Sequence, residues 1–148
     1  MKKILVALDS SPVSVPVLDE AVKLAKYTGG QLILYRAVTL PAELPREFLL
    51  HPEEELSNML KVRAELGLKD LAALVPKELI AAIRTEFGTP WQAICDEAKR
   101  ENVDVIVLGA HGYKLIDRLL GTTAARVVNH ADRTVMVVRP RDAAAPTG

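Results

Sequence analysis

With 148 residues, the chain has room for one domain and no second core, and a domain of that length needs neither disulfides nor metal to fold. Hydrophobic residues make up 49% and charged residues 26%, and 19 Lys and Arg balance 19 Asp and Glu, which argues against a broad electrostatic nucleic-acid binder. The single cysteine, Cys95, excludes an internal disulfide framework and a cysteine-rich zinc site, and a reduced, cytoplasmic setting is expected.

Met1-Lys2-Lys3 has the charge of a secretory leader, but the apolar run Ile4–Leu8 stops at Asp9. That is shorter than a leader core of about 7–15 residues or a membrane span of about 20, so neither is expected and no membrane role is assigned. Ile4–Leu8 reads instead as a strand buried on both faces. Asp9-Ser10-Ser11-Pro12 follows as a helix entry, with Ser10 or Ser11 as cap and Pro12 at the first helical position. Val17, Leu18, Ala21, Val22, Leu24 and Ala25 recur at helical spacing, and Gly29-Gly30 supplies the stop. A second strand is expected at Gln31–Val38.

Thr39–His51 carries Pro41 and Pro45 and reads as a loop. Pro52 with Glu53, Glu54 and Glu55 makes a good helix start, because acidic side chains favour the positive end of the helix dipole. This helix should run to about Val75, with a weak point at Gly67. Leu79–Phe87 fits helix or strand by pattern; its place between two helices and its end at Gly88 favour strand. Thr89 can cap and Pro90 start a helix carrying Ile94 and Ala98, with Asn102 at its end. Val103–Leu108 is another buried-type strand. Gly109-Ala110-His111-Gly112 reads as a tight loop, Gly121-Thr122 as the start of a helix, and Thr134–Val138 as the final strand, stopped by Pro140. Five strands alternating with four helical connections predict an α/β domain over residues 1–140, an open parallel sheet with helices on both faces, and a flexible tail at residues 141–148.

In such sheets the ligand sits beyond the carboxyl ends of the strands, where strand order reverses. That directs attention to Asp9, to the residues after Tyr35 and to Gly109–Gly112. Glycines let the backbone approach an anion, and a helix N-terminus offers N–H groups and positive potential. Gly109, Gly112 and Gly121, with hydroxyls from Thr122 and Thr123, therefore suit a phosphate; turn geometry alone explains the first two equally well. Neither the dinucleotide fingerprint nor the P-loop is present. Asp9 could accept a hydrogen bond from a base amine or a ribose hydroxyl, or cap the next helix, and the two roles are compatible. His111 could serve as a general base, though no orienting carboxylate can be assigned to it. Lys114 and Arg118 could approach phosphates; a solvated face is the simpler reading for them and for Asp117. Cys95 reads as a small buried hydrophobe, and no Cys/His metal spacing exists.

Together these stretches resemble the universal stress protein (UspA-like) family over Lys2 to Pro140. The resemblance is carried by Ile4-Leu5-Val6-Ala7-Leu8-Asp9-Ser10-Ser11, Gly88-Thr89-Pro90, Asp104–Gly112, Gly121-Thr122, Arg126-Val127-Val128 and Val135–Pro140. It implies a Rossmann-like five-stranded fold and a homodimer paired through Val135–Val138. It also implies a site for ATP or another adenine nucleotide, with or without magnesium, lined by Ala7, Asp9, Ala37, Leu108, Gly109, His111, Gly112, Gly121, Thr122 and Thr123. Two departures stand out. Tyr113 to Leu120 is eight residues where the family motif has nine, and Arg36-Ala37 replaces the usual His and Val. The shortened loop is compatible with ATP binding, with AMP or ADP binding only, or with a closed site. The rival readings are a dimeric interaction protein that binds no nucleotide and a slow nucleotide hydrolase using His111 or a bound metal.

Overall fold

The computed structural model describes residues 2–39, 53–110 and 120–140. The expected loop Thr39–His51, apart from Thr39 itself, lies outside them, as do Pro52, His111, Gly112, Lys114, Asp117, Arg118 and residues 141–148.

The elements follow in the order β1 (Lys3–Ala7), α1 (Ser14–Thr28), β2 (Gln31–Val38), α2 (Glu53–Ala72), β3 (Ile80–Phe87), α3 (Pro90–Arg100), β4 (Val105–Gly109), α4 (Thr122–His130) and β5 (Thr134–Val138). All strand pairs are parallel and the sheet order is β3-β2-β1-β4-β5. The open parallel sheet covered on both faces is therefore as expected. β1 is the centre: Val6 pairs with Leu34 on one side and Val107 on the other. Its residues Ile4, Leu5 and Val6 are fully buried, which is why that run is apolar without alternation.

Two cores flank the sheet. One face packs Val17, Leu18, Ala21 and Ala25 of α1 and Leu68 and Ala72 of α2 against Ile4, Val6, Leu32, Leu34, Val105 and Val107. The other packs Ile94, Cys95 and Ala98 of α3 and Ala124 and Val127 of α4 against Leu5, Ile33, Tyr35, Ile106 and Leu108. Burial pushes the Cys95 thiol up in pKa, away from the thiolate a nucleophile needs.

The start of α1 differs from expectation. Regular helix begins at Ser14, Pro12 sits in the turn before it, and no side chain caps it. The cause is Asp9, whose Oδ1 accepts the Ser11 N–H at 2.9 Å. The Ser14 hydroxyl turns back to the Asp9 carbonyl at 2.7 Å and to its carboxylate at 3.2 Å. These local bonds make an Asx-type turn ahead of the helix. At the other end Gly29 adopts φ 69° and Gly30 N–H bonds the Ala25 carbonyl, as a glycine stop requires.

Helix α2 runs unbroken through Gly67 and ends at Ala72, short of Val75. The weak point proves to be a packing position: a Cβ on Gly67 would lie 2.7 Å from Arg36 Nη1. Thr89 stands at the N-cap of α3 with no side-chain cap bond, and Asn102 closes the helix with φ 49°. β4 begins at Val105 rather than Val103 and takes in Gly109, because Asp104 is used otherwise. Its Oδ2 accepts the N–H groups of Lys2 and Lys3 at 2.8 and 3.0 Å, and those bonds hold its carboxyl below the usual range. Among the described residues, no helix is long and apolar enough to cross a membrane.

Candidate functional site

β1 connects to β2 and β3 on one side of the sheet, and the chain then crosses to β4 and β5 on the other. The strand order therefore reverses between β1 and β4. Their carboxyl ends flank the crevice where ligands of open α/β sheets bind. The residues there are Ala7, Leu8 and Asp9 after β1, and Leu108, Gly109 and Ala110 at the end of β4. Because β4 and β5 are parallel, α4 must begin at this same edge, which brings Gly121, Thr122 and Thr123 to it.

Each position has a local reason. Leu108 is buried in the α3–α4 core, and Ala7 and Ala37 pack partly against it. Ala37 lies near the end of β2, opposite Glu86. Leu8 N–H bonds the Tyr35 carbonyl and Ala110 N–H bonds the Val138 carbonyl, so the backbones leaving β1 and β4 are both tied to neighbouring strands. Gly121 is the buried N-cap of α4, with no side-chain cap bond, and Thr122 and Thr123 are its first two residues. Its first-turn amides thus carry the partial positive charge of a helix start.

Among the described residues of the crevice, the Asp9 turn carries the most side-chain hydrogen bonds. From above, its carboxylate is held by the Ser11 amide and the Ser14 hydroxyl. From below, Arg36 Nη2 donates to the Asp9 carbonyl at 2.7 Å, and Nε to the Leu8 carbonyl at 2.9 Å. Among the described residues, Ser11 Oγ is the buried side-chain polar atom that the fold leaves without a hydrogen bond. A shielded hydroxyl without a partner calls for an explanation. It sits two residues from the Asp9 carboxylate, which accepts the N–H of the same serine.

Gly109 also has a structural reason. A Cβ there would meet Val13 Cγ1 at 2.9 Å and Val17 Cγ2 at 3.0 Å. The glycine therefore admits the start of α1 close to β4. His130 packs against Trp91 with ring centroids 4.5 Å apart and the ring planes tilted by 37°, and the Arg126 guanidinium carbon lies 5.8 Å from the tryptophan ring centre. Among the described residues, no group of three or more His, Cys, Asp or Glu could hold a metal.

Arg36 is the residue whose importance the sequence reading missed. An arginine in the middle of the apolar stretch Leu32–Val38 is a visible signal, because a charge in a buried strand needs partners. The partners, backbone carbonyls of a different turn, are not visible in sequence.

A parallel five-stranded sheet in this order, with a tied acidic turn and a helix start at its switch point, defines a doubly wound α/β protein of the Rossmann-like type. The universal stress protein family model matches residues 1–139, and the chain belongs to that family. It is 29% identical over 140 residues to the universal stress protein A homolog 1 of Coxiella burnetii, covering 93% of this chain and 95% of that one. A universal stress protein of Methanocaldococcus jannaschii is 31% identical over 147 residues, covering 93% and 82%. Among solved structures, the hypothetical protein MJ0577 superposes with a TM-score of 0.79 at 25% identity, over 96% of this chain and 98% of that one. Two structures share the fold at lower identity. One is a universal stress protein in complex with cAMP (TM-score 0.66, 24% identity, 93% and 96% covered). The other is the Archaeoglobus fulgidus protein in complex with dAMP (TM-score 0.54, 18% identity, 93% and 97% covered).

Proposed function

We propose that this universal stress protein binds an adenine nucleotide in the crevice between β1 and β4, as a homodimer with a regulatory role. The observation that carries the reading is the Asp9 turn: an oriented carboxylate beside a shielded hydroxyl, Ser11 Oγ, that has no hydrogen-bond partner among the described residues. That pair suits the hydroxyls of a ribose or the amine of a base. The start of α4 with Gly121, Thr122 and Thr123 suits phosphates. Two proteins of the same fold are complexes with cAMP and dAMP, which supports an adenine nucleotide as the ligand class.

In this reading Asp9, Ala7 and Ala37 face adenosine. Leu108 backs the crevice, and Gly109, His111, Gly112, Gly121, Thr122 and Thr123 surround the phosphates. ATP, ADP and AMP are all candidates. Magnesium would arrive on the phosphates, as it commonly does, since no described cluster of side chains forms a cage. Calorimetric titration of ATP should give saturable binding to the wild-type protein and at least tenfold weaker binding to Gly112→Val. Equal affinities would remove Gly112 from the site.

A second reading has its own support. Gly109 is explained by the approach of Val13 and Val17, and the Gly112–Gly121 spacing is one residue shorter than the family motif. Both fit an interaction protein with a closed site. For the dimer, the support is β5, an edge strand that pairs only with β4 among the described strands, with Val135, Met136 and Val137 partly buried. An apolar edge of that kind is a pairing surface. Sedimentation should give twice the chain mass at micromolar concentration; a monomer would contradict this assignment.

A further inference from the structure

We propose that Arg36 is the positioning residue of the crevice: seated in the gap left by Gly67, its guanidinium holds the Leu8–Asp9 backbone, and through it the Asp9 carboxylate, in place for adenosine. The inference rests on the adenine-nucleotide reading and adds to it a residue that acts without touching the ligand.

The geometry is specific. Arg36 is only 9% exposed, in a strand whose residues Leu32 to Tyr35 are buried. Its three nitrogens reach three backbone carbonyls: Nε to Leu8 at 2.9 Å, Nη2 to Asp9 at 2.7 Å and Nη1 to Ala64 of α2 at 3.4 Å. Leu8 and Asp9 lie just past the last paired residue of β1, Ala7. Their carbonyls have left the ladder there and need donors. A planar guanidinium with a fixed fork of donors supplies several at once, and bonds from a charged donor are the stronger kind. Gly67 completes the arrangement, since any side chain at that position would enter the space of Nη1 at 2.7 Å. The Asp9 turn is thus gripped on one side by Ser11 and Ser14 and on the other by Arg36. Burial pulls the guanidinium pKa down and the Asp9 charge opposes that shift.

With all three nitrogens committed to carbonyls, Arg36 is a support for the turn and not a phosphate ligand. Adenosine, AMP and ATP are titrated against wild type, Arg36→Met, Gly67→Ala, Asp9→Ala and the Asp9→Ala/Arg36→Met pair. Arg36→Met should weaken all three ligands by the same factor, about tenfold, and add nothing further in the Asp9→Ala background. Gly67→Ala, which keeps the guanidinium but displaces it, should weaken all three in the same direction and covers the case in which Arg36→Met fails to fold. A loss confined to ATP, an unchanged affinity with only a lower melting point, or a full loss repeated in the Asp9→Ala background would overturn the proposal. If wild type binds none of the three, the nucleotide reading fails by itself. Amide exchange at Ser11, whose N–H bonds Asp9 Oδ1, then decides the positioning role. It should quicken at least tenfold in Arg36→Met and Gly67→Ala, and an unchanged rate would overturn it.

Discussion

Replacing Gly109 with valine should destabilise the fold by about 3 kcal/mol, the upper range of overpacking in a filled core, and lower the melting point by roughly 10 °C for a domain of this size. The first carbon alone would lie 2.9 Å from Val13 and 3.0 Å from Val17. Both neighbours are β-branched and stiff at χ1, and Val17 is buried at 2% exposure, so neither can swing aside. The helix would have to lift from β4, which also moves the Asp9 turn that precedes it. Gly109→Ala should show about half the loss. Thermal unfolding of the two variants is the check, and a Gly109→Val protein melting with the wild type would show that α1 yields at no cost.

The second large effect is expected at Glu97. Its side chain is fully buried, with Oε1 2.7 Å from Arg84 Nη1 and Oε2 paired to Arg100. Arg84 also pairs with Glu101. Arg100 reaches Glu86 at 2.7 Å, and Glu86 accepts the Tyr35 hydroxyl at 3.2 Å. Burial, and after it the neighbouring Glu86 carboxylate, pushes the Tyr35 hydroxyl pKa up. The network fastens α3 to β2 and β3. Removing one partner of a buried pair costs about 3–5 kcal/mol. Arg84 and Arg100 are 38% and 53% exposed, so water recovers part of that, and Glu97→Ala should lose about 2 kcal/mol. A denaturation midpoint within error of wild type would contradict this. The sign of the acid dependence follows from Glu101, whose carboxyl Arg84 holds below its ordinary value. A carboxylate depressed in the folded state contributes stability that is present above its unfolded pKa, about 4.3, and is lost as pH falls through the folded value. Stability should therefore fall from about pH 4 downward, and less steeply in Glu101→Gln.

The strands were readable where the chain states its own limits. Gln31–Val38 and Thr134–Val138 match residue for residue, because apolar runs there are bounded by Gly29-Gly30 and by Pro140. Leu79–Phe87 is ambiguous by pattern, since β3 is an edge strand in which no residue is fully buried; its position between helices and its end at Gly88 identify it, and the strand starts one residue later than expected, at Ile80, because Leu79 closes a short turn of 3-10 helix. The start of α1 falls later than its sequence predicts because Asp9, Ser11 and Ser14 bond to each other instead of capping the helix. At the candidate site, the acidic turn and the glycines were visible as residues, but their reasons were not. Gly67 is set by an arginine on another element, Gly109 by two valines remote in sequence. Arg36 is set by carbonyls of the β1 turn. A side chain's need for a partner can be read from a sequence; which backbone atom meets that need depends on the assembled sheet.

The adenine-nucleotide reading is tested most directly by thermal unfolding with and without millimolar ATP and magnesium, on protein freed of co-purified nucleotide. A ligand at 100 times its dissociation constant adds about 2.7 kcal/mol, which should raise the midpoint by roughly 5–10 °C. The rise should saturate, recur with ADP or AMP according to how much the short Gly112–Gly121 loop contributes, and be absent with guanine nucleotides. An unchanged midpoint at saturating concentrations of all three adenine nucleotides would contradict the account and leave a protein of this fold that acts through its surfaces alone.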